Sequence, residues 1–219
     1  KCNQYCKNTN CGLCRSASAG LVAEPPAASQ ADCVAGFAAG YPCHNVDLLA
    51  FLPLSQIGGG SGNDVWGWTD SQTGKEYALL GRSTGTSFVD VSNPILPVYL
   101  GNLPTHSVNS LWRGIKVYAN YAFIGSEASQ HGLQVFDLTQ LRNVLNPPRT
   151  FSESAHYAGF SNSHNIAVDE STGFIYATGT NTCGTEHGER SREHAVSIGP
   201  KRWELTAEMS TRNVLGAGK

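Results

Sequence analysis

The chain has 219 residues, a formal charge of −2 and a pI near 6.4, so it carries no electrostatic footprint for nucleic acid or an anionic membrane surface. Only 15% of the residues are charged, while 24 are glycine and 10 are proline. That balance excludes a coiled coil or an Ala/Glu/Lys/Leu-rich bundle and suits short strands joined by tight turns. No apolar run reaches the roughly 18 residues of a transmembrane span.

Six of the seven cysteines lie at the start of the chain: Cys2, Cys6, Cys11, Cys14, Cys33 and Cys43. Such a cluster has two readings. The Cys-x3-Cys-x4-Cys-x2-Cys run offers zinc ligands, but structural zinc sites usually separate two close pairs by a longer loop. A disulfide-stapled segment of a secreted protein fits the spacing better, although no Asn-x-Ser/Thr site adds independent support. Ser16 to Asp32 is rich in Ala, Ser and Pro and reads as a linker, so residues 1–32 form a Cys-rich leader. Cys33 and Cys43 bracket a short loop that one disulfide can close, and Cys183 has no evident partner.

From His44 onward the texture becomes that of strands, and it repeats. Lys75-Glu-Tyr-Ala-Leu-Leu-Gly81 is followed by a polar turn and Thr86-Ser-Phe-Val-Asp-Val-Ser92. Forty-four residues further, Asn120-Tyr-Ala-Phe-Ile-Gly125 precedes His131-Gly-Leu-Gln-Val-Phe-Asp-Leu-Thr139, and a third copy opens at Gly173-Phe-Ile-Tyr-Ala-Thr-Gly179. Another strand-like segment leads into each copy: Asp64–Trp68, Leu111–Val117 and His164–Asp169. Aromatic and β-branched residues bounded by Gly, Asp, Asn and Ser give short strands. A period of about 44–55 residues with three or four strands matches a β-propeller blade better than the rival antiparallel sandwich.

The third copy breaks off. Residues 184–219 hold 11 charged residues in 36, against 21 in the preceding 183, and show no strand pair. The expected organisation is therefore a leader over 1–32, a β-propeller-like domain of about two and a half repeats over 33–183, and an irregular, non-homologous tail over 184–219. The fold class expected is all-β, an incomplete propeller-like repeat domain, as in a truncated form.

The repeats resemble the choice-of-anchor B family, whose members carry LVIVD-type repeats. The matching stretches are Cys33-x9-Cys43-His-Asn-Val-Asp-Leu-Leu-Ala-Phe-Leu-Pro-Leu54, Asn63-Asp-Val-Trp-Gly-Trp68 and Tyr77-Ala-Leu-Leu-Gly81. Thr86-Ser-Phe-Val-Asp-Val-Ser-Asn-Pro94, Gly132-Leu-Gln-Val-Phe-Asp-Leu138 and Ser163-His-Asn-Ile166 continue the match, which covers about residues 33–183. The resemblance implies an extracellular or surface-associated β-propeller-like domain whose members vary in their anchoring or sorting tails. The chain departs from the pattern after Cys183, where the later repeats are missing.

Candidate chemistry centres on histidine. Imidazole with carboxylate is a competent divalent-metal set. His164 is the strongest candidate, because it opens the innermost-strand position of its repeat. Glu127 and His131 sit in the turn between two strands of one repeat, and His106 and His156 are further loop histidines. No His-x-His or His-Glu-x-x-His spacing fixes two ligands on one element, so loop histidines that satisfy backbone groups are the competing account. Asp90 and Asp137 occupy equivalent repeat positions, where an Asp bonds the following N–H groups of an Asx-turn. Asp47 is expected to act similarly. Gly58-Gly-Gly-Ser-Gly62 lacks the Lys-Ser/Thr of a phosphate-binding loop, and no Gly-x-Ser-x-Gly elbow occurs. Trp66, Trp68 and Trp112 are either inter-blade core or an exposed platform for carbohydrate or peptide.

Two functions follow. The first is a secreted or surface-associated, non-enzymatic binding scaffold for an extracellular protein or carbohydrate. The alternative is a metal-dependent extracellular enzyme that uses His164, His131 and Glu127.

Overall fold

The computed structural model describes residues 30–181 and the strand at His194–Ser197. The cysteines from Cys2 to Cys14, Cys183, nearly all of the expected leader and most of the expected tail lie outside the described residues. The chain is all-β, as its composition predicts, in several sheets, none of them closed.

Cys33 and Cys43 form a disulfide with Cα atoms 5.9 Å apart. It closes a small hairpin of β1 (Phe37–Ala38) and β2 (Tyr41–Pro42), tied to the chain beyond by a bridge between Ala31 and Leu48.

The first large sheet is a meander of β3 (Gly62–Thr69), β4 (Glu76–Arg82), β5 (Gly85–Asp90) and β6 (Val98–Pro104). The second contains β7 (Arg113–Tyr118), β8 (Tyr121–Ser126) and β9 (Leu133–Asp137). A short strand, β10 (Arg149–Thr150), then adds to the β6 edge in parallel before β11 (Ala155–Tyr157) pairs with β9 as the fourth strand of the second sheet. The third sheet holds β12 (Asn165–Asp169), β13 (Phe174–Thr178) and β14 (His194–Ser197). The strand β14 lies within the stretch expected to be an irregular tail without a strand pair. Its four residues pair with β13 from Ala177↔His194 to Phe174↔Ser197, so β13 has a partner on both sides.

The three sheets stack face to face, with the second in the middle. Ala122, Ile124 and Phe136 point from it into one core with Trp68, Tyr77, Leu79, Phe88, Leu103 and Ile115. Phe123, Leu133 and Val135 point the other way, into a second core with Phe160, Ile166, Ile175 and Ala177. Successive side chains on a strand face opposite sides, so a strand covered on both faces reads as an unbroken apolar run. The run Tyr121-Ala-Phe-Ile-Gly125 is such a case. A two-layer sandwich would leave one face of the middle sheet in water.

The first strand of each sheet lies beside the first strand of the next: β3 against β7, and β7 against β12. A register shift between Gly62 and Val65 lets two side chains cross the gap between sheets. Asn63 Oδ1 accepts from the Arg113 N–H at 2.9 Å, and Asp64 Oδ2 accepts from the Ile115 N–H at 2.8 Å. Glycine makes room for this approach. A Cβ at Gly81 would lie 3.3 Å from Ile115 Cδ1, and one at the equivalent Gly125 would lie 2.6 Å from Ser163 Oγ and 3.1 Å from Ile166 Cγ2. At the opposite edge, Arg142 of the second sheet's outer connection donates from Nε and Nη2 to the two oxygens of buried Asp70, both at 2.8 Å.

Candidate functional site

Antiparallel pairing puts the starts of β3, β7 and β12 at the same edge as the ends of β4, β8 and β13. The loops at this edge are also bonded across sheets. The Ser110 N–H donates to Ser83 O (3.1 Å), Ser163 N–H to Ser126 O (2.9 Å) and Gly132 N–H to Ser161 O (2.9 Å). His106, Glu127, His131 and His164 all sit on loops of this edge, and His156 reaches it from β11.

Two of the three sequence-predicted ligands meet. His164 Nδ1 pairs with Glu127 Oε1, and both side chains reach solvent, 69% and 32% exposed. A polar contact this accessible contributes little to stability. The third, His131, does not join them. It is fully buried, its Nδ1–H donates to Gly132 O at 3.1 Å, and its Nε2 faces both Arg113 Nη1 at 3.0 Å and Gln134 Oε1 at 3.1 Å. Burial first, and the neighbouring Arg113 cation next, push its pKa down to about 4, so the ring is neutral near pH 7. With both nitrogens engaged, His131 offers its main-chain oxygen rather than its ring.

That oxygen organises a different group. His156 Nε2–H donates to His131 O at 2.7 Å, which leaves His156 Nδ1 as the free nitrogen. The His156 ring stacks on His106 with centroids 3.5 Å apart and planes 7° from parallel. His106 Nδ1 lies 2.9 Å and 3.2 Å from the two oxygens of Glu153. Glu153 Oε2 also accepts from buried Gln134 Nε2 at 2.9 Å, and the same amide donates to Pro104 O at 3.1 Å. The ligand atoms of His106, Glu153 and His156 all lie within 4.8 Å of one another, the sole such set among the described residues.

The sequence offers little signal for this set. His106 and Glu153 come from different sheets, 47 residues apart. Glu153 and His156 are three apart, a spacing that points to opposite faces in an extended chain. A bend at Ser154 ahead of β11 brings them together.

Two buried arginines support the same edge with no carboxylate partner among the described residues. Arg113 donates from Nε to Arg82 O (2.5 Å) and from Nη2 to Ser83 O (3.3 Å), and burial lowers its pKa to about 10. Arg82 Nη1 donates to Gly58 O (2.7 Å), Gly59 O (2.9 Å) and Thr84 Oγ1 (2.6 Å). The glycine-rich loop thus turns carbonyl oxygens toward a cation, the polarity opposite to that of a phosphate cradle.

The acidic repeat positions act in turns, as expected. Asp90 Oδ1 accepts from the Ser92 N–H at 3.0 Å, and Asp137 Oδ1 from the Thr139 N–H at 2.9 Å. Asp47 differs, accepting instead from the Cys33 N–H at 2.8 Å across the disulfide loop. Of the three tryptophans, Trp68 is core and stacks on Tyr77, with centroids 5.0 Å apart. Trp66 and Trp112 are 39% and 51% exposed, and Lys116 Nζ sits 4.0 Å over the Trp66 ring.

No protein family, curated protein or solved structure matches the chain. No helix among the described residues is long and apolar enough to cross a membrane.

Proposed function

We propose that the protein is a secreted or surface-associated binding scaffold, built on an arc of propeller-type blades related to the choice-of-anchor B repeats. Its ligand is an extracellular protein or carbohydrate. Three observations support the blade reading: consecutive meander sheets, their first strands side by side, and apolar packing on both faces of the middle sheet. The disulfide supports an oxidising compartment.

The observation that carries the binding reading is Trp112, half exposed on the loop edge. Its carbonyl accepts from the Glu127 N–H at 3.3 Å, which places the aromatic ring's residue next to the Glu127–His164 pair. An exposed indole beside hydrogen-bonding side chains is suited to stacking on a sugar ring or anchoring a peptide.

The test is an array of glycans and extracellular protein domains probed with the full chain. Specific binding is expected, and Trp112→Ala should lose it while Trp66→Ala keeps it. An array without a bound partner, or one bound equally by Trp112→Ala, rules against this assignment.

A further inference from the structure

We propose that His106, Glu153 and His156 form a binding site for a late first-row divalent ion of the Zn(II) or Ni(II) class. The site does not depend on the scaffold reading, because its residues converge whatever the arc as a whole binds. It also differs from the ligand set expected from sequence, of which only the His164–Glu127 pair meets.

Donor chemistry comes first. Two imidazole nitrogens and one carboxylate oxygen suit zinc, copper, nickel or cobalt, whereas calcium and magnesium take oxygen sets. The ligand atoms of the three residues lie within 4.8 Å of one another, near enough for a small movement to bring them onto one ion. A three-residue set also leaves a position for water, and the partial exposure of His106 and Glu153, 33% and 27%, gives an ion access.

The surrounding shell is the second argument. Metal-ligating histidines usually donate their other N–H to a fixed acceptor, and ligating carboxylates are themselves hydrogen-bonded. The first condition holds for His156 and the second for Glu153. His131 O takes the Nε2–H of His156 and leaves Nδ1 to bind, while Gln134 holds the far oxygen of Glu153. His131 O and Gln134 are in turn fixed by burial, and Arg113 locks the His131 ring.

The stacked rings define the movement that binding requires. Imidazole lone pairs lie in the ring plane, so two parallel rings aim along parallel lines rather than at one point. His156 is pinned through Nε2, whereas His106 sits exposed in the 105–112 loop. Binding therefore turns His106 out of the stack, and the ion replaces the proton between His106 and Glu153.

Isothermal titration of the full chain with Zn(II) and Ni(II) tests the site. Free thiols are alkylated beforehand without reduction, so that cysteine ligation does not contribute. One ion per chain is expected, with His106→Ala and His156→Ala each weakening affinity by about 100-fold or more, beyond the 10–100-fold of a lost outer partner. His164→Ala is expected to bind as the parent does. Proton NMR supplies a second readout, because ring-current shifts of the His106 ring protons should collapse when the stack opens. No binding at millimolar metal, or binding that survives His106→Ala, a change in an exposed loop that leaves both cores untouched, overturns the proposal.

Discussion

Phe123 and Ile124 are neighbours on β8, point in opposite directions, and are each fully buried in a different core. Truncating either one should therefore be severe. Phe→Ala in a packed core costs about 3–5 kcal/mol and Ile→Ala about 2–5 kcal/mol, as lost transfer energy plus the residual cavity. With a urea dependence of about 1–3 kcal/mol per molar, each variant should unfold at a midpoint lower by roughly 1–2 M. The assay is urea unfolding followed by far-UV circular dichroism and by fluorescence, with Trp68 as a buried reporter stacked on Tyr77. Val65→Ala, at an exposed position of β3, serves as the control and should stay within about 0.5 kcal/mol. If either Phe123→Ala or Ile124→Ala also stays within that margin, one face of the middle sheet is not covered and the stacked arrangement is wrong.

Other perturbations address the joints between sheets. Gly125→Ala should destabilise more than Gly81→Ala in thermal melts, because its Cβ would meet Ser163 Oγ at 2.6 Å whereas at Gly81 the nearest atom is 3.3 Å away. Equal effects would contradict that reading. Arg113→Leu strips the side-chain donor from buried Arg82 O, and a buried group left unpaired costs about 1–3 kcal/mol, so the melting temperature should fall by several degrees. At the opposite edge, the Arg142 guanidinium holds Asp70 well below the usual carboxylate range. The unfolded chain therefore takes up this proton first, and the stability Asp70 contributes is intact above about pH 4 and lost as pH falls further. Asp70→Asn should lower the melting temperature at pH 7 and flatten its decline below pH 4; an unchanged acid profile would show that the pair is not coupled to folding.

Much of the fold is written in local patterns. The two complete strand pairs of the repeat, Lys75–Gly81 with Thr86–Ser92 and Asn120–Gly125 with His131–Thr139, correspond to inner strands of the first and second sheets, and in the middle sheet coverage on both faces gives a continuous apolar run. The outer strands β6, β10 and β11 are not legible. Val98-Tyr-Leu-Gly-Asn-Leu-Pro104 mixes Gly, Asn and Pro, and β10 and β11 span only two and three residues, so pairing geometry rather than composition defines them. The candidate site follows the same division. Glu127 follows the second strand of one repeat and His164 precedes the first strand of the next, so the repeat pattern puts both on the same loop edge. The set of His106, Glu153 and His156 depends on the detour of residues 149–153 along β6 before the chain returns to the second sheet. That crossing is a tertiary event with no periodicity. Trp66, Trp68 and Trp112 separate into one core and two exposed rings, a difference that depends on which face of each strand meets a neighbouring sheet.

The contact of each sheet with the next is most directly measured by nuclear Overhauser effects between Gly81 Hα and the Ile115 δ1 methyl, and between Gly125 Hα and the Ile166 γ2 methyl. The structure places these methyls 3.3 Å and 3.1 Å from where a glycine Cβ would stand, so both cross-peaks should be strong. Their absence, in a sample that shows the within-sheet contacts of β4 with β5 and of β8 with β9, would contradict the face-to-face stack.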